Sequence, residues 1–298
     1  MERHTTYELE ETANAELPQQ VWLDGIERGK RVAAFMSKIV GNLGDKTILD
    51  LGCATGGLTL MLADEGGYAV GLDSQLTNVL EATKRELPEK GRIPAFVQGD
   101  AIQLPFRRNA FDVILLSGLL EWMGFARPEA PPKDAQLETL EQVHRSLSPG
   151  GYVFVGIENR WFPKFLARSP HQRLPFAMLL PSRLAWTLPG WVFGDKVHEC
   201  LHGHRGLRRL LETAGFDRVE IHIPLFGYHF PREIAKGDDR RAVLAAVERT
   251  RRPARSRLER VASGGRWGRA WFSLIAALGL QLWLAPAFIA VARKPKKL

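Results

Sequence analysis

Five short apolar segments alternate with helical segments over residues 47–157, and this alternation restricts the possible folds of the chain more than any other feature. The apolar segments are Thr47–Leu51, Tyr68–Leu72, Ala95–Gln98, Asp112–Leu116 and Tyr152–Ile157. Helical periodicity covers 57–65, 75–87 and 134–147. Continuously apolar strands that are joined through helices are typical of a parallel sheet with helices on both faces. The sequence therefore predicts an α/β fold with a doubly wound sheet.

The segments outside this core also show patterns that predict helices and strands. Further elements are predicted as an amphipathic helix at 18–40, a helix at 206–215, a strand at 218–224, a helix at 267–283 and a last strand at 288–293. Residues 160–200 have no clean period, and we interpret them as a helical insertion over the sheet. Four regions result: an N-terminal helical cap (1–45), the core (46–158), the insertion (159–204) and a segment that completes the sheet (205–298).

The composition excludes several classes of protein. Hydrophobic residues make up 45% of the 298 residues, which is too many for a disordered chain. Cys53 and Cys200 are the two cysteines, too few for a disulfide framework, so a reducing compartment is expected. The acidic N-terminal segment lacks the apolar stretch of a signal peptide.

A glycine-containing loop, Asp50–Gly57, is expected where the first strand turns into a helix. Its spacing is G-x-x-x-G-G, whereas a nicotinamide dinucleotide site needs G-x-G-x-x-G for the pyrophosphate. An aspartate two residues before Gly52 would repel a diphosphate but could orient an ammonium group. The loop therefore points to a ligand other than a nicotinamide dinucleotide.

This loop lies within Ile48–Thr59 (ILDLGCATGGLT), which resembles motif I of the class I S-adenosylmethionine-dependent methyltransferases, with Ala54 where many members have a glycine. Segments similar to that family follow in order at Gly71–Ser74, Gln98–Ala101, Phe111–Gly118 and Leu147–Val155. The resemblance implies a Rossmann-like, seven-stranded sheet with an antiparallel last strand, a helical insertion after strand five and a basic helical segment before the last strand. It also implies S-adenosylmethionine as the cofactor and methyl transfer as the activity.

The same resemblance implies where the cofactor binds. In that family the acidic residue after the second strand binds the ribose hydroxyls and the aspartate after the third faces the adenine amino group. Asp73 and Asp100 occupy these places, and both tasks need the acceptors that a carboxylate supplies. The predicted cofactor-binding residues, at or near the strand ends where ligands bind in such sheets, are Asp50, Gly52, Cys53, Ala54, Gly56, Asp73, Ser74, Asp100, Ala101 and Ser117.

Glu158, Asn159 and Arg160 follow the fifth strand and are predicted to bind the acceptor substrate, together with the insertion at 159–204. Similar E-N-R segments occur at this place in bacterial methyltransferases of polysaccharide and secondary-metabolite clusters. An ion pair between Glu158 and Arg160 that supports the insertion is the structural alternative. Methyl transfer to oxygen is helped by a base near the hydroxyl. The candidate bases are Glu158, His171, His202 and His204.

The predicted function is therefore O-methylation of a small-molecule acceptor, a glycan or a secondary metabolite. Two alternatives stay open: a lipid-quinone or RNA methyltransferase, and a non-catalytic module that binds S-adenosylmethionine. His198, Cys200, His202 and His204 lie close together in the sequence and are of the residue types that bind zinc. Zinc ligands usually come as two separated pairs and no second pair is present, so no metal is predicted.

The charge is distributed unevenly between the two halves of the chain. Residues 1–150 carry a net charge of −7 and residues 151–298 carry +15. Eight arginines and one glutamate lie in 249–269. This basic segment could bind RNA, bind a membrane surface, or form a helix face that is exposed to solvent. Because no stacking platform or known module accompanies it, nucleic acid is not favoured. We predict a cytoplasmic protein that contacts the anionic inner face of a membrane through 249–283, by an interfacial helix rather than a span.

Overall fold

The computed structural model describes residues 17–85, 91–172, 174–188, 192, 196–251 and 265–296 of the chain. Eight strands of this part form one sheet in the order β3-β2-β1-β4-β5-β8-β6-β7. They are β1 (Thr47–Leu51), β2 (Tyr68–Asp73), β3 (Ala95–Gln98), β4 (Phe111–Ser117), β5 (Leu147–Glu158), β6 (Asp217–Pro224), β7 (Ile234–Lys236) and β8 (Ala287–Arg293). Strands β1 to β5 are parallel, and β8 lies antiparallel between β5 and β6.

The predicted doubly wound sheet and its antiparallel last strand are confirmed, but the predicted count of seven strands is wrong. The eighth strand is β7, which pairs with the edge of β6 from Pro224 to His222. It has only three residues, too few to show the period-two pattern by which a strand is recognised in a sequence.

Helices cover both faces of the sheet. They are α1 (Leu17–Val40), α2 (Gly57–Asp64), α3 (Leu76–Thr83), α4 (Met123–Ala126), α5 (Pro132–Ser146), α6 (Pro163–Ala167), α7 (Ser182–Thr187), α8 (His204–Thr213), α9 (Arg240–Arg249), α10 (Gly265–Ala277) and α11 (Gln281–Leu284). In the described residues of the insertion after β5, the structure contains the short helices α6 and α7 and a single turn at Ala177–Leu179. One hydrophobic cluster lies under α5, α8 and the insertion, and the other lies under α1 and α2.

The segment 265–293 forms two helices followed by β8, in agreement with the predicted helix and strand. The strand β8 is buried along its length and pairs with β5 from Ala287 to Arg293. Among the described residues, the structure contains no helix with the length and apolar character needed to cross a bilayer. The N-terminal segment up to residue 16, the end of the helix predicted at 75–87 and the arginine-rich residues 252–264 lie outside the described part.

Candidate functional site

A cavity of about 570 Å³ opens at the edge of the sheet where β1, β2 and β3 end. This volume lies within the range of about 300–1,000 Å³ that is usual for small-molecule sites. The cavity is lined by Gly52, Leu72, Asp73, Ser74, Gln98, Gly99, Asp100, Ala101, Leu119, Met123 and Ala126. Half of the predicted cofactor-binding residues are thus brought together around one cavity.

Asp73 is held in a fixed orientation at the mouth of this cavity. Its Oδ1 accepts hydrogen bonds from the Gln75 amide (3.0 Å) and the Asn78 side chain (3.1 Å). Its Oδ2 accepts one from the Ala54 amide (2.9 Å). Because a carboxylate oxygen can accept two hydrogen bonds, Oδ2 can accept a second one from a ligand hydroxyl. This geometry fits the ribose diol of S-adenosylmethionine.

The loop between β1 and α2 takes a tight path that depends on its small residues. Gly56 has φ +81°, and a Cβ at this position would lie 2.8 Å from the Phe96 ring. Ala54 also has a positive φ, +47°, which strains a residue with a side chain. Cys53 is buried, and burial raises the pKa of its thiol, which disfavours the nucleophilic thiolate. Cys53, Ala54 and Gly56 shape the loop without lining the cavity.

Asp50 lies beneath this loop and does not line the cavity. Its side chain is buried and its Oδ2 accepts a hydrogen bond from the Thr59 hydroxyl (2.7 Å), which ties β1 to α2. Burial raises the pKa of Asp50 to about 6. Direct contact of Asp50 with a ligand ammonium stays a prediction. The structure shows instead a buried carboxyl group whose ionised form a nearby cation would favour.

Asp100 and Ser117, the remaining predicted polar residues of the cofactor site, differ in their surroundings. Asp100 is exposed in the loop after β3, and its Oδ1 accepts a hydrogen bond from the Ile102 amide (2.9 Å). Ser117 is buried at the end of β4, outside the lining of the cavity, and its Oγ has no partner among the described residues. Asp100 is therefore placed to meet a ligand, and Ser117 lies behind the post-β4 loop.

Beside the cavity lies a second cluster of polar side chains, formed by Glu121, Glu158, His171 and Tyr228, which we call the acidic cluster. The Tyr228 hydroxyl lies 2.9 Å from Oε1 of Glu121 and 3.2 Å from Oε1 of Glu158, and its single proton can be donated to one of these oxygens at a time. His171 Nε2 lies 3.5 Å from Glu158 Oε2 and 3.9 Å from Glu121 Oε1. The half-exposed His229 approaches from the solvent side, with its Nε2 3.8 Å from Glu158 Oε1.

The environment drives the pKa values of the two carboxyl groups apart. Burial and the charge of Glu158 raise the pKa of Glu121 well above its ordinary value. Burial also opposes ionisation of Glu158, but hydrogen bonding to His171 and His229 outweighs it and lowers the pKa of Glu158. These opposite shifts favour protonation of Glu121 before that of Glu158. Burial disfavours the charged form of His171, yet Glu158 raises the pKa of His171 overall.

The loop after β4 connects the acidic cluster to the cavity. Gly118 has φ +77°, and a Cβ there would lie 2.8 Å from the Tyr228 hydroxyl. The next residue, Leu119, lines the cavity, and its side chain is 3.0 Å from the Cβ position of Gly52. Glu121 follows two residues later. One short loop therefore contributes Leu119 to the cavity and Glu121 to the acidic cluster.

Of the three predicted substrate-binding residues, Glu158 alone belongs to the acidic cluster. Asn159 is fully buried, and its Nδ2 donates to the carbonyls of Trp283 (2.8 Å) and Ala285 (2.8 Å). Arg160 donates a hydrogen bond to the Leu180 carbonyl in the insertion. The ion partners of Glu158 among the described residues are His171 and His229, so the alternative of an ion pair between Glu158 and Arg160 is wrong. Asn159 and Arg160 therefore stabilise the chain path after β5.

We expect Asn159→Ala to lower the free energy of unfolding by about 2–4 kcal/mol, because two buried carbonyl groups lose their donor. Asn42→Ala is the matched control, since the Asn42 side chain is exposed and accepts a single hydrogen bond. Asn42→Ala should lower the free energy of unfolding by no more than about 1 kcal/mol. Urea denaturation of the two variants measures both values. Equal losses would contradict the structural role of Asn159.

His202 and His204, the other candidate bases, lie away from the acidic cluster. His202 is buried with its Nε2 2.6 Å from Gln136 Oε1, and burial lowers the pKa of His202 to about 3. His204 is the first residue of α8, two residues before the predicted start of this helix, and its ring packs edge-on against Trp283 at 4.8 Å. Of the three candidate histidines, His171 is the one that lies in the acidic cluster.

A metal site was not predicted, but three groups are close enough to hold an ion. Ligand atoms of Glu121, Glu158 and His171 lie within 4.8 Å of one another. Two carboxylates and an imidazole suit a divalent cation. The same geometry is accounted for by protonation of Glu121 and the Glu158–His171 ion pair, so the absence of a metal stays a prediction. Activity that survives a chelator such as EDTA would support it.

Sequence reasoning did not find Glu121 and Tyr228, although each follows the end of a strand at the ligand-binding edge. Glu121 comes four residues after β4 and Tyr228 four residues after β6. Position after a strand was the available signal. It does not show that the side chains converge, because they are 107 residues apart in the chain.

Comparison with known proteins identifies the family to which this chain belongs. A family model described as "Methyltransferase domain" matches residues 49–155. A demethylmenaquinone methyltransferase of Lactococcus lactis is 32% identical over 190 residues, 61% of this chain and 70% of that protein. One of Staphylococcus saprophyticus is 33% identical over 185 residues, 58% and 71% respectively. A solved methyltransferase of Methanosarcina mazei shares the fold with a TM-score of 0.50 at 15% identity, covering 87% of this chain and 98% of its own.

Proposed function

Because this chain belongs to the class I S-adenosylmethionine-dependent methyltransferases, we propose that its acceptor is a hydroxyl-bearing ring of the quinol type and that His171 removes the hydroxyl proton. The acidic cluster is the observation that carries this proposal. It places a histidine paired with a buried carboxylate directly beside the loop that lines the cofactor cavity.

S-adenosylmethionine supplies, when bound, an electrophilic methyl group on a sulfonium sulfur. Asp73 and Asp100 would hold its ribose and adenine, as the resemblance implies and as their places in the cavity support. The remaining task of the protein is to position a nucleophile and to accept its proton. An imidazole within reach of the acceptor does this near neutral pH.

Glu158 is proposed to orient the His171 ring and to stabilise its protonated form. Glu121 and Tyr228 are proposed as positioning residues. The Tyr228 hydroxyl lies within hydrogen-bond distance of both carboxyl groups, and Oε1 of Glu121 lies 3.9 Å from Nε2 of His171. The positive charge of a sulfonium nearby lowers the pKa of His171, which favours the neutral base in the ternary complex.

An apolar groove of about 410 Å³ beside the acidic cluster supports a ring with an apolar substituent. Phe226, two residues before Tyr228, lines this groove, as does Pro286, whose carbonyl accepts a hydrogen bond from the Asn159 amide. Its other lining residues are Phe162, Pro163, Trp267, Gly268, Trp271 and Phe272. A glycan has no apolar substituent to place in this groove.

The names of the curated relatives also favour the quinone alternative over the glycan or secondary metabolite that was predicted first. Nothing in the described residues favours RNA as the acceptor. A non-catalytic module would have no use for a His–Glu pair at this place.

A methyl-transfer assay with paired acceptors tests the proposal. We expect turnover with a reduced naphthoquinone and none with its oxidised form, because the oxidised ring has no hydroxyl proton to remove. Incorporation of labelled methyl from S-adenosylmethionine measures both. Turnover that is confined to sugars would refute the quinol-type acceptor and would support a glycan as the acceptor.

A further inference from the structure

Among the described side chains of α10 and of the turn into α11, every exposed one is apolar. Its exposed residues are Trp267 (87% exposed), Ala270, Leu274 (53%), Ala277, Leu278 (62%), Gly279, Leu280 and Trp283. The opposite side of α10 is also apolar, because Phe272, Ile275 and Ala276 pack into the core. A helix that covers a sheet normally presents charged residues to water, so this one lacks a partner for its outer side.

The apolar surface continues onto the insertion. Trp161 and Leu179 line a cavity of about 350 Å³ together with Trp283. Phe162, which follows Trp161 in the chain, lines the groove beside α10, and its ring lies 6.3 Å from that of Trp271. We call this surface, formed by Trp161, Phe162, Leu179, Trp267, Trp271, Leu274, Leu278 and Trp283, the apolar face. Elements far apart in the chain thus present one continuous hydrophobic surface.

Positively charged side chains border the apolar face. The guanidinium of Arg205 lies 5.1 Å from the Trp283 ring, and that of Arg160 lies 5.4 Å from the Trp161 ring. Lys164 is exposed at the start of α6, beside the groove. The chain has no acidic residue after Glu259, and the second half carries a net charge of +15. Tryptophan bordered by Arg and Lys is the composition of protein surfaces that meet anionic lipid.

We propose that the apolar face docks on the surface of an anionic lipid bilayer, with α10 lying in the interface and the basic rim at the headgroups. A second copy of the chain is disfavoured as the occupant, because the basic rims of two copies would face each other. Docking does not depend on which acceptor the enzyme methylates. Its failure and that of the proposed function are therefore distinguishable.

Co-sedimentation of the full chain with vesicles tests the proposal. We expect binding to vesicles of phosphatidylglycerol and phosphatidylcholine at low salt, weaker binding at high salt, and little binding to phosphatidylcholine alone. Leu274→Glu combined with Leu278→Glu should reduce the partition coefficient at least about tenfold. Both positions are more than half exposed, so the core is retained.

Leu80→Glu is the matched control, because Leu80 is a similarly exposed leucine (49%) on the helix α3. It should leave vesicle binding unchanged. The proposal is overturned if wild-type protein ignores anionic vesicles, if it binds neutral vesicles equally, or if the double variant binds as well as wild type. A wild-type dimer that ignores vesicles and becomes monomeric in the double variant would assign the apolar face to a second copy instead.

Discussion

Replacing Asp73 by alanine is expected to weaken S-adenosylmethionine binding by about 30- to 1,000-fold, the effect of losing hydrogen bonds to a charged acceptor worth about 2–4 kcal/mol. The loss has two physical sources. Oδ2 no longer accepts from the ribose, and the Ala54 amide loses the acceptor that holds the cofactor loop. Isothermal titration calorimetry measures the dissociation constant directly.

Asp45→Ala is the matched control for this prediction. Asp45 is an exposed aspartate before β1, at the opposite end of the strand from the cofactor loop. Its removal should leave the dissociation constant within about twofold, since surface changes away from a site have small effects. If Asp73→Ala bound S-adenosylmethionine as tightly as this control, Asp73 would not be a ribose ligand.

The second large effect concerns methyl transfer itself. We expect His171→Ala to lower kcat by about 10²- to 10⁴-fold, the usual contribution of a general base. The affinity for S-adenosylmethionine should not change, because His171 does not line the cofactor cavity. His144→Gln, at a half-buried histidine between Phe216 and Gly215, should retain activity. A kcat for His171→Ala within threefold of wild type would exclude His171 as the base.

The pH dependence of the rate separates a base from a structural residue. A base acts when deprotonated, so the rate should rise with pH through the pKa of His171, which Glu158 holds above its ordinary value in the free enzyme. Glu158→Gln removes this charge and should shift the rising limb of kcat/KM to lower pH while it reduces the maximum. If the rising limb of kcat/KM lies at the same pH in Glu158→Gln as in the wild type, a group other than His171 controls the pH dependence.

The core strands and the cofactor loop were predictable because their signals are local. Apolar runs, helical periods and the glycine spacing each lie within a dozen residues, and the confirmed strands β1 to β5 agree with them. The short edge strand β7 was not predictable, since three residues carry no period. The structural partners of Asn159 and Arg160 at Leu180, Trp283 and Ala285 could not be predicted either, because these residues are distant in the chain. Substrate binding by Asn159 and Arg160 stays a prediction.

The sequence by itself determined the class of fold, the family and the cofactor, because each depends on patterns between near neighbours in the chain. Only the tertiary structure decided which histidine meets a carboxylate. Glu121, Glu158, His171 and Tyr228 come from four separate segments, and packing of the insertion against the strand ends brings them within hydrogen-bond or ion-pair distance. Their protonation depends on burial and on mutual charge, two quantities that exist only once the chain is folded.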